Sequence, residues 1–408
     1  MTRNLLSAEQ AATRLGVQRA TVYAYVSRGL LPRTVGSDGR TSWFSPDDVD
    51  ELARRGRPRA RDERAGSVDV VLTTALTRVS DDHLEYRGHD VAELARRCTF
   101  EAVAELLWTG ELGTGEGTVW APPDSALAVA GAATAALAPS APTAARLAVA
   151  VAALAAADEA RGDLRPDTVR RKARDLLAVL ARTPEPVGSV PASGRPAPVA
   201  RALWPRVSPD RPTTARVRAL DRTLVVLADH ELATSTLAAR VAASTRANPF
   251  ACVLAAIGAL SGPLHGRAAI GVHRVLNEAH ATGNPAAAVE GALGAGDQLP
   301  GFGHSLYRGI DPRAEVVLDE LPGISSGATL ATVDAVQRLA TAATGAEPNI
   351  DFALGALALT ANMPLGATEG IFAVARTAGW VAHVLEEYDE RPLRYRARAI
   401  HTGRMAEG

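Results

Sequence analysis

The chain has 408 residues, 47% of them apolar and 22% charged, with a formal net charge of −1. These are the proportions of an ordinary soluble protein, long enough for two or three domains with their own cores, and the overall charge gives no support to nucleic-acid binding by the chain as a whole. Cys98 and Cys252 are the only cysteines, which excludes a disulfide scaffold and a thiolate zinc site and leaves both as expected core residues. Alanine-rich runs with few aromatics favour helix. Charge is uneven along the chain: residues 1–64 carry 12 arginines against 8 acids, a surplus of +4, and the remainder stands at −5.

Taken in chain order, residues 5–28 read as two short helices around a tight turn. Ser7-Ala8-Glu9-Gln10 has the form of a capping box, with serine as N-cap and glutamine three residues on. Ala11, Ala12 and Leu15 supply an apolar face, Gly16 the turn, and Val22, Tyr25 and Val26 the packing side of a second helix. Gly36-Ser37-Asp38-Gly39 reads as the tip of a two-stranded wing ending at Trp43-Phe44. Ser45-Pro46-Asp47-Asp48 then starts a third helix with proline at its first position.

Ala11-Ala12-Thr13-Arg14-Leu15-Gly16-Val17, Thr21-Val22-Tyr23 and Gly29-Leu30-Leu31-Pro32 resemble the winged helix-turn-helix of mercury-resistance-regulator and excisionase type. The resemblance implies that Gln18, Arg19, Thr21 and Tyr23 face the major groove of DNA. Such modules also serve as docking or oligomerisation units. The domain is expected over residues 1–55, followed by a basic linker at 56–66 that solvates or touches phosphates.

From residue 67 onward the pattern changes. An amphipathic run through Phe100–Leu107 leads into long alanine-rich helices ending near residue 182, and the proline-rich stretch 183–213 reads as a loop or mobile connection. Five segments then carry chemistry. Asp229-His230-Glu231-Leu232 opens a helical run. Gly262-Pro263-Leu264-His265-Gly266 sets a histidine between glycines ahead of helical sequence. Gly301-Phe302-Gly303-His304-Ser305-Leu306-Tyr307-Arg308, with Asp311-Pro312-Arg313, combines a glycine-flanked histidine with two guanidinium groups suited to anionic ligands. Asn349-Ile350-Asp351-Phe352 places one acid among apolar neighbours. Arg376 and the Arg394–Arg398 segment add further cations.

The set suits carbanion chemistry. A carboxylate in an apolar setting has its charged form disfavoured and becomes a usable base. A histidine at a helix N-terminus tends to stay neutral and can donate to a carbonyl oxygen. Isolated histidines such as His83, His273, His280 and His401 read as structural.

With these motifs in this order, residues 67–408 resemble citrate synthase. The resemblance implies a mainly α-helical, two-subdomain fold behind the small winged helix-turn-helix, with a small subdomain at about 266–355 that closes over the larger one. It implies that His265 polarises the thioester carbonyl of acetyl-CoA, Asp351 abstracts the methyl proton, and His304 polarises the ketone of oxaloacetate and protonates the alkoxide. His230, Arg313, Arg376 and Arg396 would hold oxaloacetate, with Arg396 reaching into a neighbouring subunit's site. Arg308, Gly301 and Gly303 would meet CoA. No cofactor beyond the acetyl-CoA co-substrate is implied, and a homodimer or higher oligomer is expected. With neither a signal peptide nor a membrane span in view, the expected location is cytoplasmic.

The expected activity is condensation of acetyl-CoA with oxaloacetate to citrate. The alternatives are a 2-methylcitrate synthase using propionyl-CoA, or a DNA-binding regulator whose large domain senses a metabolite. The chain departs from the family pattern at Ala233, where asparagine is common, at Arg267-Ala268-Ala269-Ile270, and at Ala397 after Arg396.

Overall fold

The computed structural model describes residues 5–15, 17, 19–27, 31–35, 41–55, 70–80, 82–114, 118–190, 196–263, 265–294, 299–325 and 327–396. The chain separates into two compact units between Thr73 and Thr74.

In the first unit the capping box forms as written. Ser7 Oγ accepts from the Gln10 amide at 3.2 Å, and Gln10 Oε1 accepts from the Ser7 amide at 2.8 Å. This starts helix Ala8–Leu15, and helices Arg19–Ser27 and Pro46–Arg55 follow. Val22, Leu31, Phe44 and Val49 close a small core over Ala8, Ala11 and Ala12. The wing strands Thr34–Val35 and Ser42–Phe44 pair antiparallel, and a third strand, Leu6–Ser7, joins the other edge of Ser42–Phe44. That third strand was not expected. A two-residue strand has no periodicity to read.

The second unit begins with the antiparallel strands Thr77–Ser80, His83–Tyr86 and His89–Asp90, and its remaining elements among the described residues are helices. Helix starts coincide with side-chain caps: Asp90, Thr99, Asn248, Asp311 and Asn349 each accept a backbone N–H in the first turn of the helix they precede. Helix Ala367–Asp389 is buried almost throughout its 23 residues, including Glu369, Arg376, His383 and Glu387. Helices Phe100–Thr109, Thr143–Ala157, Pro166–Leu180, Thr214–Leu227, Thr234–Ser244 and Pro249–Leu260 pack against it.

One expectation fails here. The stretch 183–213 is not wholly loop, for Val199–Val207 is a helix that buries Val199, Ala200, Leu203, Trp204 and Val207. The proline signal misled because Pro198 stands just before the helix and Pro205 near its end, so the apolar face between them is undisturbed.

Candidate active site

The loop that carries His304 is tied to the helix that carries Asp351. Asn349 caps helix Ile350–Thr360 through its Oδ1, which accepts from the Asp351 amide at 2.9 Å, while its Nδ2 donates to the Gly303 carbonyl at 2.8 Å. Its own backbone N–H donates to the Gly301 carbonyl at 2.9 Å, and Gly303 donates to Glu347 at 2.8 Å. Phe302 packs on Phe352 with ring centroids 5.0 Å apart. Gly301 has φ +88°, and a Cβ there would lie 2.6 Å from Val272 Cγ2 and 3.0 Å from the Phe352 backbone. Its glycine is therefore demanded by backbone conformation and packing on the Asp351 helix.

The histidine of this loop has a defined tautomer. The Leu306 N–H donates to His304 Nδ1 at 3.0 Å, so in the neutral ring the proton sits on Nε2. Tyr307, which sequence reasoning passed over, connects the remaining groups. Its hydroxyl is 2.9 Å from His230 Nε2, its ring lies 4.7 Å from that of His304, and the Arg313 guanidinium sits 5.8 Å from its centroid. The His230 and His304 rings meet edge-on at 5.4 Å. The only signal for Tyr307 was its place three residues after His304.

Asp311 organises the other side. It caps helix Pro312–Leu318, grips Arg313 with two hydrogen bonds at 3.0 and 2.6 Å, and accepts from the Ile350 amide at 3.1 Å. Burial acts to raise its pKa, but Arg313 outweighs it and holds the carboxyl below the usual range. Asp351 has no such partner. Burial pushes its pKa up to about 6, Arg313 only partly opposing this while Asp311 adds to it. A backbone N–H from Ala269, in the segment that departs from the family pattern, still supports the carboxylate.

His265 lies between glycines that let the chain turn back on itself. A Cβ at Gly266 would fall 2.7 Å from the Leu260 carbonyl oxygen. Trp380 Nε1 donates to Ser235 Oγ at 3.3 Å, and Ser235 Oγ is 2.8 Å from His265 Nε2. With the indole N–H on one lone pair, the hydroxyl can give its own hydrogen to Nε2, the arrangement in which the ring proton sits on Nδ1. Burial and then the nearby Arg376 lower the His265 pKa to about 4, so the ring is neutral near pH 7.

Arg376 is 1% exposed, donates from Nε to the Leu227 carbonyl at 2.7 Å and lies 4.7 Å from the Phe372 centroid. One of its Nη atoms is buried without a hydrogen-bond partner among the described residues, as expected of a group awaiting an anion. Burial lowers its pKa, and it senses Asp229, Tyr86, Arg313 and Tyr307. His230, His304, Arg313 and Arg376 thus converge around Tyr307, with Asp351 beside Arg313 and His265 beside Arg376.

The other expected residues stand apart. Arg308 is exposed and donates its backbone N–H to Asp82 at 2.7 Å. Arg396 is exposed in this single chain, whereas Arg394 turns inward to Glu387 at 2.6 Å. In the first unit Arg19 is exposed and stands 5.9 Å from the ring of Tyr23, which packs partly on the core, while Thr21 is partly buried. Gln18 and the wing tip 36–39 lie outside the described residues. Among the described residues no group of three or more His, Cys, Asp or Glu side chains could hold a metal ion, and no helix is long and apolar enough to cross a membrane.

Together, the fold and this arrangement define an enzyme-like helical unit with one partly buried base, two histidines and two buried arginines gathered at one place. The family model for the citrate synthase C-terminal domain matches residues 67–398, and a helix-turn-helix domain model matches residues 5–57. The citrate synthase of Haloferax volcanii is 32% identical over 360 residues, covering 82% of this chain and 94% of that protein. A 2-methylcitrate synthase of Mycobacterium tuberculosis is 31% identical over 353 residues, covering 78% and 85%. Among solved structures, the citrate synthase of Thermoplasma acidophilum in ternary complex with carboxymethyl coenzyme A and oxaloacetate superposes with a TM-score of 0.67 at 25% identity, covering 83% of this chain and 95% of that one. The enzyme of Pyrobaculum aerophilum gives the same TM-score at 26% identity, covering 83% and 92%. The chain belongs to the citrate synthase family.

Proposed function

We propose that the protein is a citrate synthase that condenses acetyl-CoA with oxaloacetate. Asp351 takes a proton from the acyl methyl group while His265, through Nδ1–H, donates a hydrogen bond to the thioester carbonyl, and an enol or enolate results. Its carbon attacks the ketone of oxaloacetate. His304 polarises that ketone through Nε2–H and passes the proton to the new alkoxide. Water then hydrolyses the citryl thioester and CoA leaves. Arg313, Arg376 and His230 hold the carboxylates of oxaloacetate, Arg308 meets CoA phosphates, and Arg396 completes the site of a second subunit in a homodimer. Closure of residues 266–355 over the rest would exclude water from the enolate.

The observation that carries this reading is the pairing of a partly buried carboxylate left short of partners, with a pKa of about 6, with a neutral His265 and a His304 whose Nδ1 accepts a backbone N–H. A carboxylate of that pKa is ionised at neutral pH yet more basic than an ordinary one.

The relatives named 2-methylcitrate synthase favour a second substrate, propionyl-CoA, which differs by one methylene. A pocket discriminates such a pair by only about 1–3 kcal/mol. The helix-turn-helix match supports a further role in DNA binding for the first unit, with Arg19 as the leading contact. Thiol release from acetyl-CoA and from propionyl-CoA, each with oxaloacetate, tests the activity, and the ratio of kcat/KM values fixes the acyl group. If neither thioester is turned over, the catalytic reading fails. A duplex bound no better than non-specifically, or bound without dependence on Arg19, sinks the DNA role.

A further inference from the structure

Away from the catalytic cluster, a cavity of about 170 Å³ opens between helix Asp124–Ala135, the end of helix Pro166–Leu180 and helix Val199–Val207. Leu127, Ala130 and Val179 line its apolar side, while Arg182, Glu185 and Arg206 line its polar side. Arg146, 6% exposed, stands behind Glu185 at 3.9 Å. Three guanidinium groups therefore gather where the lining offers a single acid among the described residues, and the Glu185 side chain is itself 70% exposed.

The arginines are held in place mainly by backbone carbonyls. Arg182 donates to Ala178 at 2.7 Å and Ala197 at 3.3 Å, Arg146 to Ala138 at 2.6 Å, and Arg206 to Pro184. Carbonyl oxygens satisfy donors without cancelling charge. Arg206 Nε is buried and has no partner among the described residues. Burial depresses the pKa of both Arg182 and Arg206, and Arg182 depresses Arg206 further, with the charge of Glu185 offsetting this only in part, so the pair is electrostatically unfavourable as it stands. A pure packing role would be met by apolar side chains without that cost. Guanidinium groups fixed in this way suit an oxyanion, and the volume holds several waters at about 30 Å³ each, enough for one such group but not for a whole nucleotide.

We propose that this cavity is an anion site distinct from the catalytic cluster, taking a phosphate or carboxylate group of a small metabolite between Arg182 and Arg206, with the rest of the molecule extending through its mouth. Two of the walls, helices Pro166–Leu180 and Val199–Val207, also pack on Ala367–Asp389, the helix carrying Arg376.

The test is calorimetric titration of the full chain with inorganic phosphate and, separately, with succinate. Saturable binding at one site is expected, and the tighter anion identifies the group recognised. Arg206→Gln should weaken that site roughly ten- to hundred-fold, the worth of a charge-assisted hydrogen bond. Glu185→Gln, an exposed change that carries no risk to folding, should tighten it roughly two- to five-fold by removing the competing carboxylate. Anions bound in the catalytic cluster would respond to neither substitution. The absence of saturable binding, or binding indifferent to both substitutions, would overturn the proposal.

Discussion

Asp351 and Asp229 are carboxylates in the interior of the same unit, and their surroundings push them in opposite directions. Asp229 is fully buried and partnered through one oxygen, its Oδ1 having no hydrogen bond among the described residues. Its Oδ2 accepts from Thr77 and, at 3.2 Å, from His383 Nε2. His383 Nδ1 in turn lies 2.9 Å from Arg240, which bonds Glu386 at 2.6 Å and Glu387 at 2.9 Å, and Glu387 also holds Arg394 and Tyr395. Burial would raise the Asp229 pKa, but His383 and Arg376 outweigh it and keep the carboxyl ionised. Gly379 leaves room for it, since a Cβ there would sit 2.4 Å from Asp229 Oδ1. The residue so fixed precedes His230. Asp351 has an amide and the charge of Arg313 to lean on but no ion-pair hydrogen bond, and its pKa rises to about 6. The supply of charged partners separates a strut from a base.

Substituting the two residues should break the symmetry most visibly. Asp351→Asn is expected to lower kcat by about 10²–10⁴-fold, the worth of a lost general base, and yet to raise the melting temperature at pH 7.5. The sign follows from the shift: a carboxyl whose folded pKa is raised from 3.8 to about 6 stabilises the fold only while protonated, and that contribution is lost as pH rises through 6. Removing the charge recovers at most ~3 kcal/mol at 1.36 kcal/mol per unit. The gain should vanish below about pH 4. Thermal melts across pH, beside steady-state kinetics, check both halves.

Asp229→Asn should do the reverse. Loss of one member of a buried charge network costs about 3–5 kcal/mol, read as a lower denaturant midpoint, and a displaced His230 should raise KM for oxaloacetate. If Asp229→Asn stabilises the protein, the contrast between the two carboxylates collapses. A smaller effect is expected from Tyr307→Phe, which removes the hydroxyl beside His230. One neutral hydrogen bond is worth about 0.5–1.5 kcal/mol, so KM for oxaloacetate should rise several-fold with kcat nearly unchanged. A fall in kcat with KM unchanged would mean that Tyr307 takes part in the chemistry and does not merely position His230.

The groups with local signatures were legible in the chain. His265 and His304 stand beside glycines, Asp351 follows a capping asparagine, and Ser7 with Gln10 forms its box within four residues. What escaped lies across long sequence separations. Ser235 and Trp380, the chain of hydrogen bonds that ends on His265, are 145 residues apart, and His383 reaches Asp229 across 154. No periodicity or spacing encodes such pairs, since only the packing of helix Ala367–Asp389 against its neighbours brings them together. Tyr307 escaped for a different reason: a tyrosine in an apolar-aromatic loop reads as packing until the partner of its hydroxyl is seen. Helix Val199–Val207 was hidden by the prolines near its two ends.

The most direct test of the account is the pH dependence of kcat/KM for thiol release between pH 5 and 9, with the Asp351→Glu variant alongside. The account predicts activity that falls as pH drops below about 6, because Asp351 must be ionised to act, with no further change on the acid side from His265, whose pKa of about 4 keeps it neutral across the range. A repositioned but basic glutamate should keep part of the rate and move the acid limb. A flat profile through pH 6, or an acid limb that Asp351→Glu leaves untouched, would contradict the assignment of the base.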